Sequence, residues 1–157
     1  MDLFRLTSPA FGLDISGRGG LFVSGRWHLQ GYEVLYTSPS IALAALELLV
    51  QPRVGKTLPA LVLQTLSLPT DFDFEAVAID TLPHTWQRSD PYDPYTQNRG
   101  VAFLTQGLAP ALRVPSAVIP QEHNYILSLQ RAKVAGLSLV SCQPFEWDQR
   151  IWKASDR

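Results

Sequence analysis

The sequence predicts a single mixed α/β (α+β) domain, and three observations carry this prediction. The chain has 157 residues, a length that fits one domain. Hydrophobic residues make up 46% of it, which is normal for a globular protein with a packed core. Short runs of β-branched and aromatic residues alternate with segments that carry helix start and stop signals. This interleaving favours an α/β or α+β architecture over an all-helical one.

The first part of the chain predicts two strands separated by a long loop. Residues 4–6 form a candidate opening strand. Residues 34–37 form a second one, since this short run is rich in β-branched and aromatic residues. Between them, five glycines lie within residues 12–25 and indicate an irregular loop.

A helix is predicted directly after the second strand. Ser38 is expected to cap it and Pro39 to occupy its first turn, because these residue types are favoured at those positions. The helix is expected to cover residues 41–50 and to end at Gln51 and Pro52, since the residue before a proline is biased away from helical geometry.

The rest of the chain continues the alternation. A second helix is expected at residues 96–108, with Gly107 near its end. The acidic, proline-containing residues 71–93 are expected to form surface loop and short turns, and the tail at 146–157 a short helix or an extended arm. The remaining strands are predicted at residues 58–68, 111–114, 117–119, 125–127 and 137–142.

Charge and motif content exclude several classes of protein. Charged residues make up only 17% of the chain, and 13 basic against 14 acidic residues leave a net charge of −1. This balance excludes a basic nucleic-acid binder and an acidic disordered tail by composition. The sequence shows neither a signal-like leader nor an apolar run of about 20 residues, so we expect a soluble, cytoplasmic protein. A single cysteine excludes an intramolecular disulfide.

One carboxylate stands out in the first predicted helix. Nine of the ten residues at 41–50 are apolar and cover every face, which predicts a buried helix, and Glu47 is its only charge. A buried carboxylate pairs with a partner, takes up a proton or lies at a cleft. Glu47 is therefore a candidate catalytic residue. An ion pair in the core and a solvent-facing stripe are the structural alternatives.

Two further candidates flank this helix in the sequence. Arg26 ends the glycine-rich loop, and its guanidinium fork suits phosphate or carboxylate oxygens, so it is also the expected partner of Glu47. The loop matches neither a P-loop nor a dinucleotide-binding turn, and an ordinary surface loop is the alternative. Tyr36 closes the strand before the helix, where α/β folds often contact ligands, although a core aromatic is the default.

The remaining polar candidates argue against two common chemistries. Ser116 lies between strand-like runs but not in a G-x-S-x-G turn, which disfavours a serine hydrolase. His28, His84 and His123 lie in separate loops without ligand spacing, so no metal is expected.

Eight segments, in order along most of the chain, match the motifs of one bacterial family. They are F-R-L at 4–6, G-R-W at 25–27 with Gly31, V-L-Y-T-S at 34–38, A-L-A-A-L-E at 42–47, L-R-V-P-S-A-V-I-P at 112–120, N-Y-I-L at 124–127, P-F at 144–145 and D-Q-R-I at 148–151. The chain thus resembles the RES domain family, named for its Arg, Glu and Ser residues, with one domain expected over residues 1–157. Ser24 and His28 depart from the glycine and asparagine that are usual there.

The resemblance implies a fold, a substrate and a site. Family members have an ADP-ribosyltransferase-like mixed sheet flanked by helices and act on NAD without a metal. They degrade it by hydrolysis or phosphorolysis, or transfer ADP-ribose to a protein. The implied site is Arg26, Tyr36, Glu47 and Ser116. We expect Arg26 to clamp the pyrophosphate and Tyr36 to stack on nicotinamide or the ribose edge. Glu47 is expected to hold the ribose hydroxyls, stabilise positive charge and orient the attacking water, and Ser116 to hydrogen-bond the nicotinamide ribose or amide.

The resemblance also implies partners. RES proteins are the toxins of toxin–antitoxin systems, and their Xre antitoxin blocks the active site and makes the DNA contacts. A homodimer within a larger hetero-oligomer is compatible with this. Besides an NAD-degrading toxin, two hypotheses stay open: a protein ADP-ribosyltransferase toxin, and a non-enzymatic module that only docks a partner.

Overall fold

The computed structural model of the chain describes residues 1–51 and 59–153, which form seven strands and four α-helices. The strands are β1 (Asp2–Thr7), β2 (Leu35–Thr37), β3 (Leu61–Ser67), β4 (Phe74–Ala76), β5 (Ala111–Pro115), β6 (His123–Leu127) and β7 (Ser138–Phe145). The helices are α1 (Ile41–Leu49), α2 (Pro94–Gln106), α3 (Leu129–Val134) and α4 (Gln149–Lys153).

The strands form two sheets. The first has the order β1-β3-β7 and is antiparallel throughout. The second has the order β2-β6-β5-β4 and is antiparallel except for the parallel pair β4 and β5. Phe4 and Ser38 join the sheets by reciprocal backbone hydrogen bonds of 2.8 and 2.9 Å. The predicted mixed α/β class is confirmed, with the strands shared between two sheets.

The second sheet separates two hydrophobic cores because successive side chains of a strand point to opposite faces. Along β6, Tyr125 and Leu127 enter a core shared with the first sheet and α3, whereas Ile126 enters a core shared with α2. The α2-side core also contains Trp27 and Phe103. The glycine-rich segment is thereby anchored beneath the sheet through Trp27.

The start of α1 differs from the prediction. The N-cap is Ser40, whose Oγ accepts a hydrogen bond from the backbone N–H of Leu43 at 3.2 Å. Ser38 was the wrong choice because its backbone is used by the bridge to Phe4, and Pro39 therefore precedes the cap. The helix ends at Leu49; Pro52, the predicted terminator, lies outside the described residues.

The expectation that α1 is buried on every face is also wrong. Only Leu43 and Ala44 are buried, and Ile41 and Val50 at the two ends are exposed. One side of the helix packs near β1, and its other residues are half-buried or exposed. Apolar composition alone did not reveal which face is covered.

The other elements agree with the sequence in most places. A strand is present at each of six predicted segments: 4–6, 34–37, 58–68, 111–114, 125–127 and 137–142. Residue 58 itself lies outside the described residues. Gly107 is the C-cap of α2, as predicted. Residues 117–119 are not a strand, because Ser116 Oγ accepts from the backbone N–H groups of Val118 and Ile119 and turns the chain. The sequence also missed β4, three residues within the predicted loop 71–93, and the six-residue α3. In the tail, α4 confirms a short helix, while residues 154–157 are not described.

Candidate active site

A cleft of about 680 Å³ opens between α1, the strands β1 and β2, and the glycine-rich segment before β2. Its polar and charged lining includes Glu47, Tyr36, His28 and Asn124 together with Arg5, Asp14 and Arg18, and Phe11 and Phe22 add aromatic side chains. The predicted carboxylate therefore does face a cleft.

Glu47 presents its two carboxylate oxygens unequally. Its Oε1 accepts hydrogen bonds from Ser116 Oγ at 2.7 Å and from Asn124 Nδ2 at 2.6 Å. Among the described residues, no donor contacts Oε2. Both lone pairs of Oε1 are therefore used by protein donors. One oxygen is thus fixed by the protein, and the other is available to a ligand.

The donors that hold Glu47 are themselves fixed by the second sheet. Ser116 follows β5 and is fully buried, and the turn after it holds its Oγ by two backbone N–H groups at 3.1 and 3.0 Å. Asn124 lies in β6, and Ser38 Oγ donates to its Oδ1 at 2.6 Å, so that its Nδ2 faces Glu47. The ends of β5, β6 and β2 therefore position the carboxylate on α1.

Tyr36 contacts the glycine-rich segment through its hydroxyl group. The backbone N–H of Trp27 donates to Tyr36 Oη at 3.0 Å, and Oη lies 2.8 Å from His28 Nδ1. Burial raises the pKa of the Tyr36 phenol well above its ordinary value. The hydroxyl is therefore protonated and has two defined protein partners.

Within the described residues, Arg26 makes no hydrogen bond to Tyr36, Glu47 or Ser116. Its Nη1 donates to the carbonyl oxygens of Trp86 and Arg88 at 2.5 and 2.7 Å, and its guanidinium lies 5.5 Å from the centre of the Tyr92 ring. Burial lowers the pKa of Arg26, although the charge of Glu47 acts in the opposite direction. The expected ion pair with Glu47 does not form within the described residues; the carboxylate is bound by Ser116 and Asn124 instead.

Three cleft residues were not selected from the sequence. Asn124 lies in a family motif but has no role assigned to it, and His28 is considered only as a departure from the family and as a histidine without metal-ligand spacing. Arg5 lies in the opening F-R-L motif and likewise has no assigned role. In the structure its Nη1 donates to Gln64 Oε1 at 2.9 Å, and buried Gln64 in turn holds three carbonyls of the cleft wall at residues 11–14.

Two classes of feature are absent from residues 1–51 and 59–153. No group of three or more His, Cys, Asp or Glu side chains there is arranged to hold a metal ion. No helix in this part of the chain is long and apolar enough to cross a membrane.

Comparison with solved structures shows a shared fold. The chain matches a structure of the M. tuberculosis MbcT-MbcA toxin–antitoxin complex with a TM-score of 0.73 and 17% identity, covering 98% of this chain and 87% of the matched chain. At this identity the likeness concerns the fold.

Comparison at the sequence level identifies the family. A protein named "Toxin Res" from Photorhabdus laumondii is 33% identical over 156 residues, 98% of this chain and 99% of that protein. A "Prs ADP-ribosylating toxin" from Sphingobium is 25% identical over 140 residues, 88% of this chain and 86% of that protein. The RES domain family model matches residues 2–148. The resemblance is confirmed, and the chain belongs to the RES domain family.

Proposed function

We propose that this chain is the enzymatic toxin of a toxin–antitoxin system and depletes NAD by cleaving its nicotinamide–ribose bond through hydrolysis or phosphorolysis. The observation that carries the proposal is the geometry of Glu47, a residue that lines the cleft, with one oxygen fixed by Ser116 and Asn124 and the other not bonded to any described donor. The chain also belongs to a family in which relatives are named toxins, and this supports the proposal that it is a toxin.

The chemistry needs little more than one well-placed carboxylate. Nicotinamide leaves NAD as a neutral molecule from a cationic linkage, so no general acid is required. The bond breaks through an oxocarbenium-like transition state. In this mechanism Glu47 Oε2 accepts a hydrogen bond from a ribose hydroxyl, and its negative charge stabilises the positive charge that develops on the sugar. Water oriented by Glu47, or phosphate, then attacks the ribose carbon that nicotinamide leaves, and the proton that an attacking water loses passes to the solvent.

The other side chains of the proposed site have different roles, which follow from their contacts. Tyr36 lines the cleft and would stack on nicotinamide or the ribose edge. From the sequence, Ser116 is predicted to contact the nicotinamide ribose or amide directly. Its complete burial and its bond to Glu47 favour action through the carboxylate instead. Arg26 is proposed to clamp the pyrophosphate, and Arg5 and Arg18, which line the cleft, would add further positive charge for it.

Arg26 is expected to be needed for NAD binding, and Arg26→Ala tests this. The variant removes both a guanidinium assigned to the pyrophosphate and the two bonds that hold the 86–88 segment. NAD affinity measured by calorimetry should fall by about tenfold or more, the effect of a lost charged hydrogen bond. Arg150→Ala, which removes an exposed arginine paired with Asp148, is the matched control. Equal NAD affinity of the Arg26 variant and the wild type would exclude the clamp.

The reaction itself is tested with purified protein and NAD carrying a label in its adenosine part. The proposal predicts one free nicotinamide for each NAD lost. In an assay without added phosphate, the label should appear in ADP-ribose. When phosphate is present and acts as the acceptor, the label should appear in a phosphorylated ADP-ribose. Unchanged NAD, or nicotinamide mononucleotide as the product, would contradict it.

Transfer of ADP-ribose to a protein is the second candidate function. One relative carries the name ADP-ribosylating toxin at 25% identity, and the first step at the ribose is the same in both reactions. Label that becomes attached to protein in the assay above would favour transfer. A purely non-enzymatic docking module would leave NAD intact.

We also propose that an antitoxin of the Xre type binds over this cleft. The complex would lie in the cytoplasm, and any DNA contact would be made by the antitoxin. The solved relative comes from a toxin–antitoxin complex, which supports a protein partner. Phe11 and Phe22 line the cleft and are 56% and 69% exposed, so an apolar surface is available at its rim. A homodimer within that assembly is part of the same proposal.

A further inference from the structure

His28 is buried beside the cleft, with only 4% of its surface exposed, and it contacts Tyr36. We propose that His28 is a positioning residue that fixes the Tyr36 hydroxyl as a hydrogen-bond acceptor toward the cleft. Tyr36 would then select a donor group of the nucleotide, such as a hydroxyl or a carboxamide N–H. The inference rests on the proposed function, since it assigns specificity to that site.

The ring nitrogens of His28 have unequal partners. Nε2 lies 2.9 Å from the carbonyl oxygen of Val23, which can only accept a hydrogen bond, so Nε2 carries a proton. Burial lowers the pKa of the imidazole below its ordinary value, and the ring is therefore neutral at pH 7. A neutral imidazole has one N–H group, which leaves Nδ1 as an acceptor.

The hydrogen bonds of the Tyr36 hydroxyl follow from this tautomer. Its single proton is donated to His28 Nδ1 across 2.8 Å. One of its two lone pairs accepts the backbone N–H of Trp27 at 3.0 Å. One lone pair remains, so the hydroxyl accepts a further hydrogen bond but has no proton left to donate.

Close packing keeps the ring in this orientation. A Cβ atom added at Gly25 would lie 2.7 Å from His28 Cε1, 2.8 Å from Nδ1 and 2.8 Å from Tyr36 Oη. A Cβ atom at Gly20 would lie 3.1 Å from Nε2. Both glycines therefore leave the space that the imidazole fills, and the ring has little room to turn.

Two amide variants separate the contacts of the two ring nitrogens. In His28→Asn the side-chain oxygen takes the place of Nδ1 and keeps an acceptor for Tyr36. In His28→Gln the amide reaches the place of Nε2, keeps the contact with Val23 and loses the one with Tyr36. We expect kcat/KM for NAD within about threefold of wild type for His28→Asn, and a loss of about tenfold or more for His28→Gln. Equal activity of the two variants would overturn the inference.

A double variant shows whether the effect passes through Tyr36. In a Tyr36→Phe background, His28→Gln should change kcat/KM by less than about twofold, because the hydroxyl that it orients is gone. A tenfold loss in that background would mean that His28 acts by another route, and the inference would be wrong.

A readout on the free protein keeps this test separate from the proposed activity. Nitrogen chemical shifts of ¹⁵N-histidine report which ring nitrogen is protonated, and the chain has only 3 histidines to assign. The Nε2–H tautomer of His28 is expected at pH 7. The Nδ1–H tautomer would overturn the inference even if the protein consumes NAD, whereas an inactive protein with the Nε2–H tautomer would overturn the proposed function alone.

Discussion

Glu47→Gln is expected to abolish NAD consumption while leaving the fold intact. Ser116 and Asn124 both donate to Oε1, so the amide oxygen of the glutamine must take that position. Its NH₂ group then lies where Oε2 was, and it presents a donor and no negative charge to the ribose. We expect kcat to fall by about 10³-fold, the upper range for removal of a preorganised electrostatic contact.

The matched control is Glu146→Gln, which makes the same charge change at an exposed position. Both variants should unfold within about 2 °C of the wild type in thermal denaturation, since surface or isosteric changes cost little. If Glu47→Gln consumes NAD at the wild-type rate, the Glu47 carboxylate has no catalytic role.

Gly100→Ala is expected to destabilise the protein strongly. Gly100 lies in α2, and a Cβ atom there would lie 1.7 Å from the carbonyl oxygen of Trp27 and 2.5 Å from its carbonyl carbon. Backbone must move to relieve this contact, so we expect the free energy of unfolding to fall by about 3 kcal/mol or more. The midpoint of thermal denaturation should drop by about 10 °C.

The same substitution should also disturb the position of Tyr36 in the cleft. The backbone N–H of Trp27 donates to Tyr36 Oη, so displacement of Trp27 disturbs the hydroxyl that we propose to contact the nucleotide. Gly19→Ala is the control for stability, because a Cβ atom at that position meets nothing within 4 Å. If Gly100→Ala denatures at the same temperature as the wild type, α2 and Trp27 can move apart without loss of folding free energy, and the prediction is wrong.

Local sequence patterns predicted much of the fold because they concern neighbouring residues. The β-branched and aromatic run before α1 and Gly107 at the end of α2 are recognised within a few positions. The prediction of Ser38 as the N-cap was wrong because a tertiary contact, the bridge to Phe4, decides the backbone there. Which face of α1 is covered depends equally on tertiary packing.

The candidate site was predictable in part for the same reason. Glu47 stood out as the one charge in an apolar helix, and family motifs indicated Ser116. The hydrogen bond from Asn124 joins residues 77 positions apart, and no local pattern indicates such a contact. Arg26 was expected to pair with Glu47 on the basis of charge alone. The carbonyl groups of Trp86 and Arg88 that bind it, 60 and 62 positions away, carry no sequence signal.

A crystal structure of the protein with a carbocyclic NAD analogue, in which the nicotinamide bond cannot break, would show where the nucleotide binds. We expect a hydroxyl of the nicotinamide ribose within about 3 Å of Glu47 Oε2, while Oε1 keeps its bonds to Ser116 and Asn124. Binding of the ribose away from the cleft, or with Oε2 turned toward protein instead of the sugar, would contradict the assignment of Glu47 as the catalytic carboxylate.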